Sequence, residues 1–132
     1  MTPPPAFYLR HVPTTLTLAR VTRLDGFWRK GWGVLGLRAL PPGTGVWLPQ
    51  VASVHTLGVA FPLDLLFLGE DLRTLAVRPG TPPGRPWAGA RGAQHTLELG
   101  AGTLARLPRA VEVGDLWELY AEEKRAGTVR LP

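Results

Sequence analysis

The chain has 132 residues, 45% of them hydrophobic and 19% charged, with a formal net charge of +5. That is the length of one domain, large enough to bury a self-sufficient core, with a balance ordinary for a globular protein. Cysteine is absent, which excludes a disulfide framework, a thiolate nucleophile and cysteine-ligated zinc.

Glycine (16) and proline (14) leave little room for long helices and suit short strands joined by turns. No apolar run reaches the roughly 18 residues of a membrane span. Met1 to Arg10 is proline-rich and lacks a basic-then-apolar export pattern, so a cytoplasmic protein without membrane contact is expected. Asparagine and isoleucine are absent and arginine outnumbers lysine 13 to 2, a thermophile-like composition. Residues 1 to 50 carry six basic side chains and one acidic, whereas residues 51 to 132 carry nine of each. A basic segment can mark a nucleic-acid surface. Here the basic residues are interleaved, with no glycine-aromatic or helix-turn-helix signature, and a solvated face is the preferred reading.

In chain order, residues 1–13 hold four prolines and read as an extended arm. Thr14 to Arg23 alternates apolar and polar residues with threonine enriched, the pattern of a half-buried strand. From Asp25 to Arg38 the period changes: Trp28, Trp32 and Leu35 share a helical face behind a possible Asp25 N-cap, and a short helix is expected near 26–37. Leu40 to Gly45 is a turn. Val46 to Val54 supplies one bent strand or two, with a turn near Gly58. Leu63 to Leu68 is a buried strand, and Gly69-Glu70-Asp71 turns it into the alternating strand Leu72 to Arg78. Pro79 to Gly92 is a long loop, functional or mobile, with Trp87 near its middle. Ala93 to Leu99 is a strand, Gly100 to Leu107 a helical turn or two, and Ala110 to Val113 leads through Gly114-Asp115 into Leu116 to Tyr120.

The expected fold is all-β: a compact antiparallel β-sandwich or barrel with one or two short helices. It comprises an N-terminal arm (1–13), a single β domain (14–120) and a charged C-terminal tail (121–132).

The run Ser53 to Leu68 contains His55-Thr56-Leu57-Gly58-Val59-Ala60-Phe61-Pro62-Leu63-Asp64. It resembles the signature H-T-x-G-M-x-F-P-I-D-x-x-F of the bacterial and archaeal family called domain of unknown function 192. Gly33-Val34-Leu35-Gly36-Leu37-Arg38 is similar to that family's G-L-x-G-R segment. Leu97-Glu98-Leu99-Gly100-Ala101-Gly102 resembles its L-E-L-x-A-G, and Val113-Gly114-Asp115 its V-G-D. The resemblance spans roughly residues 14 to 120, in the family's order. Val59 stands where the family commonly has methionine, and Gly69-Glu70 departs from its hairpin. The resemblance implies a small all-β domain and brings no activity, cofactor or ligand.

Candidate site residues therefore come from chemistry. His55 and Asp64 interrupt an apolar stretch, where burying either group costs free energy unless it is partnered. Across a turn, Asp64 could fix the His55 tautomer and leave the other ring nitrogen as base or ligand. The alternative is a core histidine beside an aspartate that satisfies turn backbone. Glu98 and Asp115 could converge on the pair. Glu98, between Leu97 and Leu99, reads equally as exposed, and Asp115 as a turn aspartate. Trp47 would line a concave face, with Trp87 on the long loop as a lid. No metal-ligand spacing is present, so no metal site is assigned. Ser53, the only serine, lacks a nucleophile elbow.

Three functions follow. The first is a non-catalytic binding module for a small molecule or saccharide at His55 and Asp64. The second is an enzyme with His55 as general base, metal-assisted or not. The third is nucleic-acid binding by the basic N-terminal segment. The cofactor and the oligomeric state are left open.

Overall fold

The fold is built outward from β5 (Leu63–Leu68), whose six residues are all buried. Its side chains alternate between two cores. Leu66 and Leu68 enter one apolar cluster, and Leu63, Leu65 and Phe67 the other. A strand covered on both faces needs no polar alternation, which is why this segment reads as a continuous apolar run. Each fully buried leucine contributes about 1.5–3 kcal/mol by leaving water.

The computed structural model describes residues 4–24 and 39–122. Around β5 lie β1 (Ala6–His11), β2 (Leu16–Arg23), β3 (Thr44–Pro49), β4 (Ser53–Val54), β6 (Thr74–Thr81), β7 (Ala88–Gly89), β8 (His95–Gly100) and β9 (Trp117–Ala121). A single 3₁₀ turn, Leu104–Arg106, follows β8. Seven strands form one curled sheet, in the order β6-β5-β8-β3-β2-β1-β9, and β4 pairs with β7 in a small second sheet. The large sheet is a half-barrel whose edge strands approach each other at one end. There Arg73 bridges to Leu116, the Thr74 N–H donates to the Asp115 carbonyl at 2.9 Å, and the Trp117 N–H donates to that of Leu72 at 3.0 Å.

The first cluster draws on β1, β2, β5, β8 and β9, with Leu104 and Leu107 closing one end. The second packs Val46, Leu48, Leu65 and Phe67 against Ala88 of β7 and the loop residues Val59 and Ala93. Gly100 permits a close approach here, because a Cβ at this position would collide with the backbone carbonyls of Leu40 and Pro41.

The all-β expectation holds, with four departures in detail. Residues 6–11, set apart above as part of an arm, form a strand between β2 and β9, and Leu9 and His11 are fully buried. The sheet is not wholly antiparallel, since β2 and β3 run parallel. The helical stretch near 101–107 is the short 3₁₀ turn. The loop from Pro79 to Gly92 is partly strand, with Thr81 still paired to Leu63 and β7 paired to β4. The helix expected near 26–37 and the tail from 123 to 132 lie outside the described residues.

Candidate functional site

Asp64 is 2% exposed and faces the first cluster. Its Oδ1 accepts from the Gly80 N–H at 2.8 Å, and its Oδ2 from the Leu104 N–H at 2.9 Å. The first donor exists because β6 is irregular opposite Asp64: the pairing steps from Leu63↔Thr81 to Leu65↔Arg78. Pro79 has no N–H, and Gly80 has a φ of 60°, a conformation that favours glycine. The second donor opens the 3₁₀ turn. One carboxylate thus joins an edge-strand bulge to the turn that closes the core.

Beside this joint lies an open cavity of about 420 Å³, lined by Val77, Pro79, Leu104, Leu107, Arg109 and Val111 together with Ala105 and Ala110. Among the described residues its walls are apolar apart from Arg109. Asp115 holds that guanidinium from two sides, with Nη1–Oδ2 at 3.0 Å and Nη2–Oδ1 at 3.1 Å. Nη1 also donates to the Ala110 carbonyl. These bonds engage three of the five N–H donors of an arginine. Asp115 further accepts from the Glu112 N–H at 3.0 Å and meets His11 Nε2 at 2.9 Å. The Arg109 bonds, aided by those from Glu112 and His11, hold the Asp115 carboxyl well below the usual carboxylate range against the opposing effect of burial. His11 is fully buried, with Nδ1 at 2.8 Å from Thr14 Oγ1 and its ring 4.7 Å from that of Trp117. A polar chain, Thr14–His11–Asp115–Arg109, therefore runs from the half-buried Thr14 through the buried His11 and Asp115 to the exposed Arg109 at the cavity.

Glu98 lies on the other face of the sheet from Asp64, paired across to Val46 and Leu65 and 5% exposed. Burial pushes its carboxyl up to about 7. Trp47 also stands apart from the cavity. Its Nε1–H donates to His95 Nδ1 at 3.1 Å, Phe7 packs edge-on at 4.9 Å, and the Arg23 guanidinium lies 5.1 Å above its ring. Burial, reinforced by the Arg23 charge, lowers the His95 pKa. That direction suits a ring nitrogen that must accept a hydrogen bond.

His55 is exposed. The β4–β7 pairing ends with Val54 opposite Ala88, and His55 and Trp87 are the next residues beyond that end on the two strands, Trp87 being 63% exposed. The buried polar residue of this segment is its neighbour Thr56. The Thr56 N–H donates to the Arg85 carbonyl at 2.8 Å. Its hydroxyl donates to the Pro82 carbonyl and accepts from the Arg85 N–H, both at 2.8 Å. The loop of residues 82–87 is thus tied down beside His55. It adjoins that histidine, as the lid expectation requires, and is hydrogen-bonded to the chain beneath it through Thr56.

No family model matches the chain, and no curated protein matches it. Two crystal structures share its fold. One is of a "putative transcription regulator" from Sinorhizobium meliloti 1021, at 22% identity and TM-score 0.72, with 87% of this chain and 92% of that chain covered. The other is of a protein of unknown function from Novosphingobium aromaticivorans DSM 12444, at 21% identity and TM-score 0.66, with 86% and 83% covered. At these identities the likeness concerns the fold alone.

The six residues singled out from sequence thus fall into three places. Asp64 and Asp115 flank the cavity through the groups they hold, His55 and Trp87 share an outer face, and Trp47 and Glu98 sit elsewhere on the large sheet. Asp64 has two backbone partners, and no hydrogen bond joins it to His55. Among the described residues, no three His, Asp or Glu side chains are grouped to hold a metal ion. Sequence reading missed His11, Arg109 and the apolar cavity wall. The alternation of Phe7, Leu9 and His11 with Tyr8 and Arg10 is the signal that could have revealed β1 and its buried histidine.

Proposed function

We propose that this chain is a non-catalytic binding module, and that its ligand is a small apolar molecule carrying one hydrogen-bond-accepting group. The observation that carries the reading is the apolar cavity whose one polar lining side chain among the described residues, Arg109, is preset by Asp115. Two donors of that guanidinium are left for a ligand acceptor, while Val77, Leu104, Leu107 and Val111 offer apolar contact. A saccharide fits less well, because among the described residues no tryptophan or tyrosine lines the cavity. The enzyme reading lacks its orienting pair, since Asp64 is engaged by backbone and His55 stands in solvent.

We also propose membership of the family that the motifs resemble. In support, β5 and β8, which carry two of its segments, are neighbours in the sheet, and Asp64 bonds Leu104, just beyond the second segment.

The test is titration with anilinonaphthalene sulfonate, an apolar ring system bearing an anionic acceptor, followed by methyl NMR. The expected result is that the Val77, Leu104, Leu107 and Val111 methyls shift together, and that Ala105→Trp, which fills the cavity from an exposed position, abolishes the shifts. Shifts confined to other residues, or probe binding untouched by Ala105→Trp, would overturn the reading.

A further inference from the structure

The face built from residues 53–57 and 84–91 has no role in the cavity just described, yet it is constructed in detail. We propose that it binds single-stranded nucleic acid, with a base stacked on Trp87 and neighbouring phosphates met by Arg85 and Arg91.

Three observations carry this. The first is exposure in a fixed setting. Ala88 is buried and Val54 packs against the second cluster, so strand alternation turns Trp87 and His55 outward. Trp87 is 63% and nearby Leu57 48% exposed. Thr56 ties the supporting loop through the bonds to Pro82 and Arg85, and its carbonyl accepts from the Gly84 N–H at 2.8 Å. Gly89 lets the two short strands approach, since a Cβ there would press on Ser53 and the Ala52 carbonyl. A large aromatic ring held in water on a pinned loop is pre-organised for a planar partner.

The second observation is charge. Residues 26–63 and 72–97 contain no aspartate or glutamate. The acidic residues that bound these stretches inside the sheet, Asp64 and Glu98, are both buried. Arg78, Arg85 and Arg91 are exposed, and among the described residues they form no ion pair. Residues 53–57 and 84–91 themselves carry arginine and no acidic side chain, a local positive charge that draws a polyanion.

The third is the chemical mix. One open indole flanked by arginines matches a base with its phosphates. A single tryptophan and one leucine give too little apolar surface to anchor on lipid, and a duplex presents no open base face. The surface differs from the N-terminal basic segment to which composition alone pointed.

The experiment is fluorescence anisotropy of the whole chain with a labelled oligothymidylate of about 12 nucleotides, a length within the range of single-strand sites on small β-barrels. Binding is expected to weaken steeply with salt. Trp87→Ala should weaken it roughly tenfold or more, with Trp87→Phe in between. Replacing both Arg85 and Arg91 by Gln should flatten the logarithmic salt slope by about 1.4, at about 0.7 for each phosphate no longer neutralised. All these positions are exposed, and thermal unfolding checks that the variants fold. The proposal is overturned by absence of binding at low salt, by equal affinity for duplex and heparin with no effect of Trp87→Ala, or by binding to anionic lipid vesicles without binding to the oligonucleotide.

Discussion

Asp64 and His55 stand in one apolar stretch, nine residues apart, and the fold sends them to opposite kinds of place. Around Asp64 the chain is interior: a bulged edge strand, a 3₁₀ turn and a closed apolar core, joined by two N–H donors on one carboxylate. Around His55 the chain is surface, and the buried polar role belongs to Thr56, whose hydroxyl both donates and accepts. Polar residues in an apolar stretch need partners only where the chain is buried, and the partner supplied is usually backbone. Glu98 extends the contrast. It is nearly as buried as Asp64, but its neighbours across the sheet are Val46 and Leu65, and burial drives its carboxyl toward the neutral form.

The largest expected effect breaks the interior joint. Asp64→Ala leaves the Gly80 and Leu104 N–H groups without acceptors in a buried setting, each costing about 1–3 kcal/mol, so a loss of about 2–6 kcal/mol is expected. Denaturant unfolding measures it. A loss below about 1 kcal/mol would mean that the two bonds contribute little and that Asp64 is held for another reason.

The next effect sharpens the comparison between the two carboxylates. The folded-state pKa of Glu98 is raised from 4.5 to about 7, so the folded chain binds its proton more tightly than the unfolded one. The stability linked to this proton is fully present below about pH 4.5 and is lost as pH rises through 7, amounting to about 3 kcal/mol. Glu98→Gln should remove that portion of the pH dependence and stabilise the chain at pH 8. Unfolding free energies measured from pH 4 to 8 on both proteins check this. An unchanged pH profile in the variant would assign the dependence elsewhere.

Much of the sheet was legible in the sequence, because period-2 alternation marks β2 and β6, a continuous apolar run marks β5, and turn residues bound these strands and β8. The strand β1 was not, because four prolines in residues 1–13 outweighed the alternation of Phe7, Leu9 and His11. The parallel pairing of β2 with β3 was not legible either, since pairing direction leaves no local signature. At the site, the sequence identified Asp64, Glu98 and Asp115 as unusual without showing which face each would take. Their faces follow from register: Asp64 opposite Leu99, Glu98 opposite Leu65. Arg109 and the cavity wall escaped because an arginine after a proline and scattered alanines and valines look like ordinary loop until β6 and the 3₁₀ turn bring them together.

The claim that the site is not a His55–Asp64 pair is tested most directly by a double-mutant cycle on unfolding free energy with His55→Ala, Asp64→Ala and both. His55→Ala, at an exposed position, should lie within about 0.5 kcal/mol of the parent. The double variant should match Asp64→Ala, with a coupling energy no larger than about 0.5 kcal/mol. A coupling above about 1 kcal/mol would mean that the two side chains support each other and would contradict the separation of interior joint from outer face.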